Sequence, residues 1–180
     1  MQGDQKLIIQ FQESDNKEAP FTLLLKKYQQ KVYYQIKRMG IEHADADDIA
    51  QAVWIKVWHK LDGFKQESAF STWLFRVAYN ETLNFIAQKK RLQGQLAQNQ
   101  SDSFLEHPSS QNELKASAIQ IKLERAILEL PEKQRFVFML RYYEAFDYEK
   151  IASITGTTVG GAKANYHQAV KKMTEMLQLD

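Results

Sequence analysis

The stretch Phe70–Arg91, FSTWLFRVAYNETLNFIAQKKR, decides how the chain is read. Its apolar residues Phe70, Trp73, Leu74, Val77 and Ala78 recur at helical spacing, and Phe85 and Ile86 rejoin them after two polar turns. That is the pattern of an amphipathic helix with one buried side. The other side carries the amides Asn80, Asn84 and Gln88, and the helix runs out into Lys89, Lys90 and Arg91. Rings, amides and a basic end suit the holding of unpaired bases and the phosphates behind them. A plain core helix whose lysines neutralise its C-terminal dipole has the same pattern, so the surrounding sequence must choose between the two.

Upstream, Pro20 suits a first helical turn. Phe21, Leu24, Leu25, Tyr28, Val32, Ile36 and Met39 then trace an apolar stripe that stops at Gly40, and a shorter helix fits Lys6–Glu13. The next helix spans Asp45–Leu61, with Asp45, Asp47 and Asp48 in its first turn, where the dipole favours anions. It carries two stripes, Ile49, Val53 and Val57, and, offset by one position, Trp54, Trp58 and Leu61. One core does not cover both equally. The tryptophans beside carboxylates read either as a protein-docking surface or as the lining of a three-helix core. Asp62-Gly63 is a turn, and Phe64–Ser71 a short ordered loop before the Trp73 helix.

Downstream, residues 92–112 break the pattern. They are rich in Gln, Asn and Ser, contain Gly94 and Pro108, and hold no Lys or Arg, only Asp102 and Glu106. This reads as a flexible linker. Helical patterning resumes over Glu113–Glu129, breaks at Leu130-Pro131, and continues with Phe136, Met139, Leu140 and Tyr143. Asp147 is an N-cap for Tyr148–Ile154, Gly156 stands where a turn needs positive φ, and Thr158 caps a last helix. That helix buries Val159, Ala162, Tyr166, Ala169, Val170, Met173 and Leu177. A helix, a glycine turn and a second amphipathic helix make a helix-turn-helix. Its outer face offers Gly160, Gly161, Ala164, His167, Gln168 and Lys171, flanked by Lys163 and Asn165. Gln168 can read base edges and the lysines can meet phosphate. The fold class is therefore all-α: two small helical domains, 1–92 and 113–180, joined by a linker at 93–112.

Composition narrows the function classes. The 180 residues are enough for two small cores, and 44% hydrophobic with 26% charged residues fits a globular chain. The absence of cysteine removes disulfides and thiolate zinc sites. The first fifteen residues do not make a signal peptide, and no apolar run approaches membrane-spanning length, so a cytoplasmic protein is expected. The net charge of +2 is uninformative, but its distribution is not. Phe21–Ile41 carries Lys26, Lys27, Lys31, Lys37 and Arg38 with no acid, and Glu42, Asp45, Asp47 and Asp48 follow at once. No P-loop, nucleophile elbow or paired catalytic carboxylates are present. His43 and Asp47 stand one turn apart, but two ligands make a poor metal site. No enzyme activity, cofactor or metal is expected.

Two blocks, in order, resemble the extracytoplasmic-function (ECF) group of the sigma-70 family over nearly the whole chain. DADDIAQAVWIKVWHKLDGFKQESAFSTWLFRVAYNETLNFIAQKKR, residues 45–91, is similar to region 2, and LPEKQRFVFMLRYYEAFDYEKIASITGTTVGGAKANYHQAVKKM, residues 130–173, to region 4. The resemblance implies a sigma factor that binds core RNA polymerase, recognises minus-10 and minus-35 promoter elements, and promotes melting. Asp48, Gln51, Trp54 and Trp58 match the surface that docks on the β′ clamp helices. Lys65, Ser68, Phe70, Ser71, Asn80, Asn84, Lys89, Lys90 and Arg91 match the part that captures the melted minus-10 strand. Lys163, Ala164, Asn165, His167, Gln168 and Lys171 match the minus-35 reading helix, in a region that also touches the β flap. The base-free linker resembles the segment that threads the polymerase interior. An anti-sigma partner is expected as well. Three positions depart from the family: Gly161 replaces a Thr or Ser, Asn165 an Arg, and Lys150 an acid. Each Gly costs about 1 kcal/mol of helix propensity, so a loose tip after Thr158 is expected, with one phosphate clamp lost. The alternative is a stand-alone helix-turn-helix regulator.

Overall fold

The structure, a computed structural model, describes residues 2–97 and 118–178. Among these residues the regular structure is entirely helical: α1 Gln2–Glu13, α2 Glu18–Lys37, α3 His43–Leu61, α4 Phe70–Ala97, α5 Ala118–Leu128, α6 Glu132–Tyr142, α7 Tyr148–Thr155 and α8 Val159–Gln178. They form two compact units. The first holds α1, α2 as far as Ile36, α3 and α4; the second holds α5 to α8 with the segment Lys37–Glu42.

The first unit is built around α3 and α4, which pack together. Ala46, Ile49, Val53, Val57 and Leu61 form the buried stripe of α3, so Leu61 belongs with the valines rather than with the tryptophans. On α4 the buried residues are Phe70, Leu74, Phe75, Ala78 and Tyr79, with Thr82 continuing the line. Phe75 and Tyr79 were absent from the expected stripe, while Trp73 and Val77 are only half-buried. Leu24, Tyr28, Val32 and Ile36 of α2 complete this core, and Phe11 closes it from α1. Two ion pairs tie α3 to α4: Lys89 to Asp45 at 2.8 Å, and Lys56 to Glu81. Gln12 anchors α1 by donating to the carbonyl oxygens of Leu61 and Phe64, at 3.0 and 3.1 Å.

Helix α4 runs six residues past its expected end at Arg91, to Ala97. Gln, Leu and Ala favour helix there, and a single Gly94 does not outweigh them. The expected linker from residue 98 onward and the start of the next helix over 113–117 lie outside the described residues.

In the second unit α8 packs against α5, α6 and α7, over Phe136, Leu140, Ile151 and Ile154. The expected caps are in place. Asp147 accepts from the Lys150 N–H at 2.8 Å, and Gly156 ends α7 at φ +67°. The Thr157 N–H donates to the Ala152 carbonyl at 3.1 Å, the long bond of a Schellman ending. Arg135 donates to the carbonyl oxygens of Leu128 and Leu130, fastening the break between α5 and α6.

Candidate nucleic-acid interface

The loop between α3 and α4 is shaped by what flanks it. Phe64 and Phe70 are both buried, with ring centroids 6.2 Å apart, and pin its two ends. Between them Gln66 takes φ +56°, left-handed backbone that a side chain adopts at a cost. Beside it lies a cavity of about 440 Å³ between this loop, the first two turns of α1 and the middle of α2. Gln66, Ser68 and Ser71 line it on the loop side, and Asp4, Gln5 and Lys27 on the other. Asp4 is fixed there: its carboxylate accepts from the Tyr28 hydroxyl at 2.6 Å and from the Lys27 ammonium. Apolar Ile8, Phe64 and Phe70 line it beside these polar groups.

The sequence-derived residues fall unevenly around it. Lys65 is exposed, and Ser68 and Ser71 are half-buried in the wall. Phe70 also lines the cavity, but it is 3% exposed and packs edge-on against Tyr28 at 5.5 Å. The half-exposed ring is Trp73, 4.9 Å from Phe64. Asn80, Asn84 and Arg91 follow each other along one exposed side of α4, with Arg76 a turn before Asn80. Arg76 was missed, although its i−4 spacing from Asn80 was the signal. Lys90 is exposed, whereas Lys89 reaches back to Asp45 and is drawn toward α3. Asp4, Gln5 and Lys27 were also missed, and no local signal joins them to a loop forty residues away.

On α3, Asp48 and Gln51 are exposed. Trp54 and Trp58 are half-buried. Trp58 meets Phe11 and Phe21 edge-on at 5.2 and 4.9 Å, and Trp54 meets Phe21 at 5.9 Å. Each indole thus packs against neighbouring rings of α1 and α2 and stays part-exposed. The His43 Nδ1 lies 2.5 Å from the Tyr33 hydroxyl and 3.4 Å from Asp47. Burial, then the Asp47 charge, raises the Tyr33 pKa. Among the described residues no group of three or more His, Asp or Glu gathers closely enough to hold a metal ion.

The exposed side of α8 carries Lys163, Ala164, His167, Gln168 and Lys171. Its first turn is capped. Thr158 Oγ1 accepts from the Gly161 N–H at 3.0 Å, so the expected looseness is offset at that point. Asn165 turns its amide back to the Gly161 carbonyl at 2.8 Å and does not replace the missing Arg. Lys150, the other departure, pairs with Asp147 at 2.9 Å. Val170 and Leu177, expected in the core, are 37% and 41% exposed: Ala162, Ala169 and Met173 set the buried line, Val170 falls one position round from it, and Leu177 lies in the last turn of the helix.

The family model for Sigma-70 region 2 matches residues 24–92, and that for Sigma-70, region 4 matches residues 120–173. The chain is 32% identical to the ECF RNA polymerase sigma-E factor of Escherichia coli K12, across 97% of this chain and 94% of that protein. The chain belongs to the ECF group of the sigma-70 family. It is 30% identical to the RNA polymerase sigma-H factor of Pseudomonas aeruginosa at the same coverage. The sigma factor RpoE of Bartonella quintana, solved with the anti-sigma factor NepR, superposes with a TM-score of 0.71 at 26% identity, over 89% of this chain and 98% of that one. CnrH, solved with the cytosolic domain of CnrY, shares the fold at a TM-score of 0.72 and 20% identity, over 99% of both chains. This ECF sigma factor acts in transcription initiation, with core RNA polymerase and promoter DNA as its partners. Paired matches to both regions favour that role over a stand-alone regulator. None of its described helices is long and apolar enough to cross a membrane.

Proposed function

We propose how the work is divided among the residues of this ECF sigma factor. The Asp48–Gln51 side of α3, with the outward edges of Trp54 and Trp58, docks on the β′ clamp helices. The Lys65–Ser71 loop takes an extruded minus-10 base into its cavity, while Asn80, Asn84, Lys90 and Arg91 follow the strand. Helix α8 enters the minus-35 major groove through Lys163, Ala164, His167, Gln168 and Lys171, and the same domain meets the β flap. The observation that carries this reading is the cavity of about 440 Å³ beside a left-handed Gln66, walled by Ser68 of the loop and Ser71 at the start of α4. Unstacking a base costs a few kcal/mol, and a pocket that holds the base offsets that cost. The protein performs no reaction itself, works in the cytoplasm beside the polymerase, and is held inactive by an anti-sigma partner. The last point is supported by the NepR complex of a relative of similar fold.

Reconstitution with its host's core polymerase tests the scheme. Asp48→Lys should weaken core binding at least tenfold with far-UV circular dichroism unchanged. The pair Asn80→Ala and Asn84→Ala should leave core binding intact and reduce open-complex formation. Open complexes at the wild-type level in the double mutant would remove α4 from the minus-10 contact.

A further inference from the structure

Gln168 lies on the exposed side of α8, yet its carboxamide does not rotate at will. Helix α6 packs along α8, and Gln134 of α6 donates from Nε2 to the Oε1 of Gln168 at 2.7 Å. The structure places the NH2 of the Gln134 amide outward and its oxygen inward. The Oε1 of Gln134 is buried and has no hydrogen-bond partner among the described residues. Turning this amide over would bury an NH2 group with two donors in place of a single oxygen. Orphaning two donors costs more than orphaning one acceptor. The outward group of Gln134 is therefore its NH2, and the atom of Gln168 that meets it must be an acceptor. The two N–H groups of Gln168 then lie on the side of the carboxamide away from Gln134.

This orientation bears on base choice. An unrestrained Gln offers an acceptor and a donor in either order, and suits adenine, whose major-groove edge presents the acceptor N7 beside the donor N6. A Gln whose oxygen is already engaged leads with its donors. Guanine presents two adjacent acceptors, N7 and O6, and cytosine presents a donor that such a Gln does not serve. We propose that Gln134 is a positioning residue for promoter reading: it holds the Gln168 amide with its N–H groups toward the DNA, so that the minus-35 position under Gln168 selects guanine. The inference rests on the reading of α8 as the minus-35 helix.

The experiment uses the full chain assembled with its host's core polymerase on promoters randomised across the minus-35 element, with the bound templates sequenced at pH 8. Gln168→Ala should flatten the preference at one position, where the wild type favours guanine. Gln134→Ala should cut the guanine-to-adenine ratio there by roughly fivefold or more, the scale of one good base contact. Gln134→Lys, donor-only like the outward NH2, should keep the guanine preference. Gln134→Glu, acceptor-only, should turn Gln168 over and shift preference toward adenine and cytosine. Should Gln134→Glu prove unstable, the Ala and Lys variants carry the test. A purely structural role for Gln134 would lower occupancy on all templates alike and leave the ratios unchanged; that result overturns the proposal, as does a wild type without guanine preference at the Gln168 position. If Gln168→Ala flattens no position, the reading of α8 fails and the inference with it. If Gln168→Ala flattens one while all three Gln134 variants keep the wild-type ratios there, only the coupling fails.

Discussion

Asp147 caps α7 through the Lys150 N–H and pairs with the Lys150 ammonium. The Lys150 side-chain hydrogen bond, then its backbone N–H, holds the Asp147 carboxyl below the ordinary carboxylate pKa. A folded-state pKa that is depressed gives stabilisation that is complete above the unfolded pKa and is lost as the pH falls through the folded one. Asp147→Ala is therefore expected to destabilise the second unit by about 1 kcal/mol at neutral pH, the usual worth of an N-cap. The gap between mutant and wild type should close as the pH drops below the ordinary Asp range, which thermal melts at pH 7 and pH 3 followed by far-UV circular dichroism would register. Asp147 was legible as a cap because its partner lies three residues away. The burial of Phe70 beside a half-buried Trp73 was not. Both rings sit on the same helical turn, and Tyr28 and Phe64, which cover Phe70, belong to other segments.

At the scale of the element, α8 carries two consecutive glycines in its first turn, and they are not equivalent. A Cβ added at Gly160 would meet nothing closer than Thr158 Oγ1 at 4.0 Å, whereas one at Gly161 would approach that same oxygen to 3.2 Å. That oxygen is the cap of the helix. Gly160→Ala should stabilise the second unit by up to about 1 kcal/mol through helix propensity, and Gly161→Ala by distinctly less, because its methyl presses on the cap. Far-UV circular dichroism melts of the two variants would separate them; an equal gain would mean that Thr158 moves aside without loss. The glycines, the turn and the cap were all legible in the sequence. The exposure of Val170 was not, since an apolar residue one position from a buried line turns about a hundred degrees away from it.

At the scale of the molecule, each unit has its own core, and the reporters divide conveniently. Trp54, Trp58 and Trp73 all belong to the first unit. Phe75 of α4 is fully buried in the first unit. Phe75→Ala should destabilise the first unit by about 3–5 kcal/mol, as large-to-small changes in a packed core do. The tryptophan-fluorescence transition in urea should move to lower denaturant, while the far-UV signal of α5–α8 persists beyond it as a separate step. A single coincident transition by both probes would show that the two cores unfold as one.

The sequence by itself determined that the chain is helical, where most helices begin and end, that two blocks lie in the order of an ECF sigma factor, and which residues cap the helix-turn-helix. These features rest on interactions within a turn or two of the chain, so a 3.6-residue period and a few cap residues encode them. Only the tertiary structure decided the rest. It chose the Phe75–Tyr79 side of α4 as the buried one, brought Asp4 and Lys27 to the Lys65–Ser71 loop, drew Lys89 to Asp45, and set Gln134 against Gln168. Periodicity specifies that a helix has a buried side. Which residues stand at its centre, and which polar groups have a partner, depends on surfaces supplied by segments that the chain brings together only on folding.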